Sequence, residues 1–192
     1  MELLVAEQIA QKRFTAEEYL TLEENAEVRH EFVNGLLIEM AGETFEANEI
    51  TLNLAEILRK FLRSKGYRLF THEIRTIVRE NNIYRYPDVV IAEASALEGK
   101  NMLKKPAMII EVLSDSTSKV DRGAKLKEYC ALPSLQYYCL VAQDEVSVEL
   151  FHRNEHGWEY DFYLNLSDSL PLPFFGTNIA LKDIYEGITF SE

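Results

Sequence analysis

The sequence predicts an α/β (α+β) fold, a mixed sheet flanked by helices. Three observations carry that expectation. Short apolar runs at 67–79, 83–92, 107–113 and 136–142 have strand length and are interleaved with stretches of helical periodicity. Residues 46–65 place Ile50, Leu54, Ile57, Leu58, Phe61 and Leu62 on one helical face. Asn34-Gly35 joins two apolar runs where a tight hairpin needs two residues that accept positive φ.

The elements follow in order. Residues 1–13 read as an arm. A helix opens at Phe14-Thr15: Thr15 can cap it, Glu18 can complete the capping box, and Phe14 can staple against Tyr19. It ends near Glu24-Asn25, and the hairpin of residues 31–38 follows. Gly66 suits the end of the long helix. Two strands, 67–79 and 83–92, turn near Asn81-Asn82; Pro87 in the second donates no ladder hydrogen bond and marks an edge or bulge. Lys100 to Lys105 is a charged connection. Residues 107–113 form a nearly continuous apolar run, expected of a strand buried on both faces. Ser118-x-x-Asp121 is a capping signal for a helix running to about Ala131, closed by Pro133. A strand at 136–142, a hairpin of 145–152 with 157–164, and a mixed tail complete the chain. The expected organisation is a single domain: arm 1–13, helix and hairpin 14–45, core 46–142, and β-rich extension 143–192.

Composition narrows the function classes. A chain of 192 residues that is 47% hydrophobic can build a packed core. No apolar run approaches a membrane span, and the acidic N-terminus does not read as a signal peptide. Cys130 and Cys139 lie in apolar stretches and read as buried thiols of a cytoplasmic protein. The net charge of −12 argues against a protein that coats nucleic acid. It leaves room for an enzyme whose acids hold metal beside local basic clusters. Such clusters occur at 59–68, 100–105 and 119–127, where solvated faces are the default reading for most.

Asp88, in Tyr86-Pro87-Asp88-Val89-Val90-Ile91, and Glu111, in Met108-Ile109-Ile110-Glu111-Val112, interrupt runs that otherwise read as buried strands. Buried carboxylates are costly unless donors or a cation satisfy them. On neighbouring strands, about 4.8 Å apart, two of them repel unless positive charge intervenes. Oxygen ligands point to Mg²⁺ or Mn²⁺. Zinc is disfavoured because His30, His72, His152 and His156 show no paired spacing. Lys125 lies on the helix after Glu111 with Tyr129 one turn on; on sequence alone an ordinary exposed lysine is the favoured reading. Glu31 reads equally as a third acid or as a surface carboxylate paired with Arg29 or a nearby lysine. No motif calls for an organic cofactor.

The succession of the Asp88 strand, the Glu111 strand and a helix resembles the PD-(D/E)XK nuclease core. More narrowly, the chain resembles the bacterial family catalogued as "putative restriction endonuclease". The matching segments are Arg29-His30-Glu31-Phe32-Val33-Asn34-Gly35, Tyr84 to Val90, Ile110 to Ser114, Asp121 to Lys125 with Tyr129, and Gln136 to Val141. The resemblance implies a restriction endonuclease-like core and a Mg²⁺-dependent endonuclease that hydrolyses DNA phosphodiesters through a metal-activated water. It carries over Asp88 and Glu111 as metal ligands and suggests Glu31 as an additional acid. The superfamily places a lysine two residues after the glutamate, where this chain has Leu113; Lys125 from the following helix is the expected replacement. Glu46-Ala47-Asn48 and Ala142 also depart from the family pattern, which often has histidine and an acid there.

Two other readings stand beside this one. One is a catalytically silent nuclease fold that binds a partner or a nucleic acid; the other is a hydrolase of a small phosphodiester. The aromatic β-rich end (Phe151, Trp158, Tyr160, Phe162, Tyr163, Phe174, Phe175) suggests a homodimer, with coverage of the main sheet as the competing explanation.

Overall fold

The computed structural model describes residues 12–40 and 42–190. The expected arm therefore lies almost wholly outside the described residues. The first elements are α1 (Ala16–Glu23), β1 (His30–Val33), β2 (Leu36–Glu39), α2 (Phe45–Leu62), β3 (Tyr67–Thr71), β4 (Arg75–Arg79), β5 (Ile83–Arg85) and β6 (Val89–Glu93). Short β7 (Leu97–Glu98) and β8 (Met102–Leu103) lead to β9 (Met108–Leu113), α3 (Ser118–Val120) and α4 (Leu126–Cys130). β10 (Tyr137–Ala142), β11 (Val148–Asn154), β12 (Gly157–Tyr163), β13 (Ser169–Leu172), β14 (Thr177–Ala180) and α5 (Leu181–Ile184) follow. Contacts divide these residues into two compact units, one of 12–40 with 79–84 and one of 42–78 with 85–190.

The smaller unit is built as its sequence directs. Thr15 accepts from the Glu18 amide and Glu18 from the Thr15 amide, so the expected capping box opens α1. Antiparallel β1 lies between β2 and β5. Tyr19 of α1 stacks on Phe32 of β1 at 5.0 Å, and Tyr84 tilts against both rings. The hairpin turns at Asn34 (φ 50) and Gly35 (φ 92). A Cβ on Gly35 would stand 3.3 Å from Arg13 Cβ and 3.4 Å from the Phe14 carbonyl. Gly35→Ala is therefore expected to lower stability by about 1–2 kcal/mol, read as a lower urea midpoint with unchanged m; an unchanged midpoint would show that the turn tolerates a side chain.

The larger unit holds a six-stranded sheet in the order β12-β11-β10-β9-β6-β3. β9 and β10 run parallel and every residue in them is buried, as a strand covered on both faces requires. Alternation sorts their side chains. Val89, Ile91, Met108, Ile110, Val112, Cys139 and Val141 pack with Ile50, Leu54, Leu58 and Leu62 of α2. Val90, Ala92, Ile109, Leu113, Tyr138 and Leu140 pack on the other side with Tyr129 of α4. Thr44 caps α2, and its buried stripe matches the expected face at Ile50, Leu54, Leu58 and Leu62, while Ile57 is partly buried and Phe61 exposed. Cys139 is buried and Cys130 only partly; neither is in a disulfide.

Two expected strands are each divided. The run 67–79 breaks into β3 and β4 around His72, whose φ of 48 leaves the extended region. The run 83–92 breaks into β5 and β6 around Tyr86-Pro87-Asp88, where proline supplies no amide for a ladder. Residues 118–130 form the expected helical segment, but its middle turn, Asp121–Lys125, is wound as a π-helix. No described helix is long and apolar enough to cross a membrane.

Candidate active site

Pro87 ends the preceding ladder and leaves Asp88 one residue ahead of β6. β6 pairs antiparallel with β9 through Val89↔Ile110, which sets Asp88 beside Glu111. The two residues bracket each other. Asp88 Oδ2 accepts from the Val112 amide at 2.6 Å, and the Asp88 amide donates to Glu111 Oε2 across a long 3.4 Å. By strand alternation Glu111 shares a sheet face with Ile109 and Leu113, the side that α4 covers.

The helical segment supplies an ammonium to the site. Lys125 Nζ donates to Glu111 Oε1 at 3.0 Å, and the Tyr129 hydroxyl donates to the same oxygen at 3.0 Å. Lys125 Nζ also lies 3.0 Å from Asp121 Oδ1, an ionic contact outside hydrogen-bond geometry. Glu111, Asp121 and Lys125 are all buried. The reading of Lys125 as an exposed helix lysine does not hold: the π-turn and the packing of α4 aim it at the sheet. His72 approaches from the break after β3, with Nδ1 3.9 Å from Asp88 Oδ1 and Nε2 3.5 Å from Glu43 Oε1.

Burial pushes the Asp88 carboxyl up to about 6; the Val112 amide, Lys125 and His72 pull against that shift, and the Asp121 charge adds to it. The Tyr138 hydroxyl, which donates to the Asp121 carbonyl, is held well above its usual value by burial and by the charges of Glu111, Asp121 and Asp88. Three carboxylates, Asp88, Glu111 and Asp121, thus converge near the Lys125 ammonium.

The all-oxygen donor set of the neighbouring Asp88 and Glu111 carboxylates fits a hard divalent cation. Glu111 Oε1 is committed to Lys125 and Tyr129, and Asp88 Oδ2 to the Val112 amide. Asp88 Oδ1 lies 3.9 Å from His72 Nδ1, and Glu111 Oε2 accepts from the Asp88 amide at 3.4 Å. Among the described residues no group of three or more His, Cys, Asp or Glu side chains is arranged around one point as a metal cage. Two carboxylates, with water and a substrate phosphate completing the shell, is the mode Mg²⁺ commonly adopts.

Of the four acids and bases expected from sequence, the structure brings Asp88, Glu111 and Lys125 together. Glu31 belongs to the smaller unit, where it is buried on β1 in register with Ile38, so its reading as a surface carboxylate fails on burial. Sequence reasoning read Asp121 only as part of a helix cap and gave neither it nor His72 a place in the site. Asp121 carried a signal, its i,i+4 spacing from Lys125. His72 carried none, because only the backbone break after β3 aims its ring at Asp88.

Comparison with known proteins adds three findings. The family model Uma2, described as "Putative restriction endonuclease", matches residues 16–182. Two proteins of Synechocystis sp. (strain ATCC 27184 / PCC 6803 / Kazusa) are similar along most of the chain. Uncharacterized protein slr1290 is 29% identical over 179 residues, 93% of this chain and 94% of that protein. Uncharacterized protein sll1609 is 35% identical over 145 residues, 74% of this chain and 82% of that protein. A crystal structure described as a putative nuclease from Anabaena variabilis ATCC 29413 superposes with a TM-score of 0.76 at 19% identity, covering 92% of this chain and 99% of that one. At that identity the likeness establishes a shared fold.

Proposed function

The chain belongs to the Uma2 "putative restriction endonuclease" family, and from that premise we propose that it is a Mg²⁺- or Mn²⁺-dependent endonuclease that hydrolyses DNA phosphodiester bonds at Asp88 and Glu111. The observation that carries the reading is the reciprocal bracket of these two carboxylates across β6 and β9, with Lys125 bonded to the second. Asp88 and Glu111 would hold the cation. When bound, the metal supplies Lewis acidity toward a phosphoryl oxygen and toward the attacking water.

The remaining work falls to the chain itself. The Val112 amide and the β6–β9 ladder fix the Asp88 carboxylate, so little reorganisation is needed when a phosphate arrives. Lys125 and Tyr129 lock one oxygen of Glu111 and turn the other toward Asp88. Lys125 also contributes the positive charge that the superfamily lysine would bring from the position of Leu113. His72 stands beside Asp88 Oδ1, with its Nδ1 at 3.9 Å, and lines the edge of the metal position.

The test uses supercoiled plasmid with Mg²⁺ or Mn²⁺. The wild-type protein is expected to nick it, and Asp88→Ala and Glu111→Ala each to lose that activity by at least about 100-fold. Binding of the metal without any cleavage of plasmid or of a small phosphodiester would turn the reading toward a silent member of the family. Cleavage of the small ester alone would move the substrate away from DNA.

A homodimer is part of the proposal. Phe175 is buried and Trp158 and Tyr163 are partly covered, so the surplus of aromatic surface is smaller than the sequence suggests. Tyr160 and Phe162 still expose 49% and 60% of their surface beside each other on edge strand β12. Light scattering on the eluting peak should give twice the mass of one chain, and Phe162→Glu should halve it.

A further inference from the structure

Seven of the ten arginines donate to oxygens within the fold. The side chains of the other three, Arg59, Arg63 and Arg68, form no hydrogen bond or ion pair with any described residue. All three line one groove of about 360 Å³, between the C-terminal turns of α2 and edge strand β3, floored by Leu62, Tyr67, Leu69 and Phe70. Lys60 and Lys65 flank it, and residues 59–68 contain no acid, in a chain whose net charge is −12.

A cluster of this kind costs stability. Like charges on adjacent helical turns repel, and none of the three guanidinium groups is offset by a neighbouring carboxylate. Elsewhere the fold partners its arginines, including the almost fully buried Arg85 with Glu128. Three unpartnered guanidinium forks around one concavity suit an anionic ligand that can be held bidentately.

We propose that this groove binds the sugar-phosphate backbone of the nucleic-acid substrate, on one flank of the bond to be cut. The proposal rests on the nuclease reading and names the surface by which that substrate is held. Continuity with the candidate site favours a polyphosphate over an acidic peptide. Arg68 stands in register with Ala92 of β6, on the face to which Phe70 and Val90 also turn, and Ala92 lies four residues along that strand segment from Asp88. His72 is the residue 3.9 Å from Asp88. Four residues of extended chain span about 13 Å, roughly the axial rise of four base pairs of a duplex. The groove therefore lies where the same strand would pass after leaving Asp88 and Glu111. The aromatic rings in its floor offer apolar contact to sugars, and the arginines contact phosphates without reading bases.

The test is binding of a fluorescein-labelled duplex of about 20 base pairs in EDTA, followed by anisotropy from roughly 0.05 to 0.3 M KCl. The proteins compared are wild type, the Arg59→Ala/Arg63→Ala/Arg68→Ala triple variant, and the corresponding triple lysine variant. All three arginines are exposed, so the fold should survive, which the thermal melt checks. The alanine variant is expected to bind about 100-fold more weakly near 0.15 M salt, with a log–log salt slope shallower by about 2.7. The lysine variant should recover most of that slope. Plasmid nicking by wild type and Asp88→Asn runs in parallel. If wild type nicks DNA while the alanine variant keeps both affinity and slope, the groove proposal is overturned and the nuclease reading stands. If wild type neither binds nor nicks DNA, the nuclease reading fails and the proposal falls with it. Arginine-dependent binding of labelled polyglutamate in place of duplex would overturn it in favour of an acidic peptide.

Discussion

Without divalent metal at pH 7.5, Asp88→Asn is expected to be more stable than the wild-type chain, while losing cleavage entirely in its presence. The carboxyl of Asp88 is raised from 3.8 to about 6, chiefly by burial. An acid whose folded-state pKa lies above its unfolded value holds its proton more tightly when folded. Between pH 4 and 6 the unfolded chain has released that proton and the folded chain has not, so stability falls as pH rises through this window and stays lower above it. A rise of that size corresponds to a penalty of up to about 3 kcal/mol. Asparagine removes the penalty, and its amide oxygen can keep the bond from the Val112 amide. The gain over wild type should be large at pH 7.5 and small at pH 4.

Magnesium supplies the opposing half of the experiment. Bound to the native state alone, it stabilises by an amount that grows with the logarithm of its concentration. Wild type should show that rise in melting temperature and Asp88→Asn should not. Protons compete with the cation below pH 6, so cleavage should fall by up to about tenfold per pH unit there at subsaturating metal. Paired melting curves and pH–rate profiles decide the matter. An Asp88→Asn protein that is less stable than wild type at pH 7.5, or that still gains stability from magnesium, would refute the assignment of Asp88.

Lys125→Met should destabilise the chain by about 3–5 kcal/mol, the cost of leaving buried charges without their partner. Glu111 Oε1 would retain only the Tyr129 hydroxyl of the two side-chain donors at 3.0 Å, and Asp121 Oδ1 would lose the ammonium beside it. For a domain of this size the melting temperature would drop on the order of 10 °C. Adding Glu111→Gln should restore part of the loss, because the double variant removes a buried negative charge with the positive one; a double-mutant cycle measures that coupling. A loss below about 1 kcal/mol would mean that the ammonium is solvated in solution and does not anchor Glu111.

Much of this site is legible along the chain. Asp88 and Glu111 announce themselves as charges in apolar strand runs, since a carboxylate persists there only when something satisfies it. Adjacency of their strands follows from length and order, and the β6–β9 register confirms it. The capping box at Thr15 and the hairpin at Asn34-Gly35 are local chemistry, decided within four residues, and both stand as expected.

The rest depends on contacts that sequence spacing does not encode. Lys125 looks like any helix lysine until a π-turn rotates it under the sheet. Asp121 looks like a cap until the packing of Tyr138 and Lys125 buries it. His72 meets Asp88 only because β3 breaks at a left-handed residue, and Arg59, Arg63 and Arg68 share a groove only because α2 packs beside the edge of the sheet. Local propensity and periodicity decided which segments fold and which acids are costly. Which groups share a cavity was decided by the long-range packing of strands and helices, because burial, and with it the strength of every charge at the site, is set by neighbours far away in the chain.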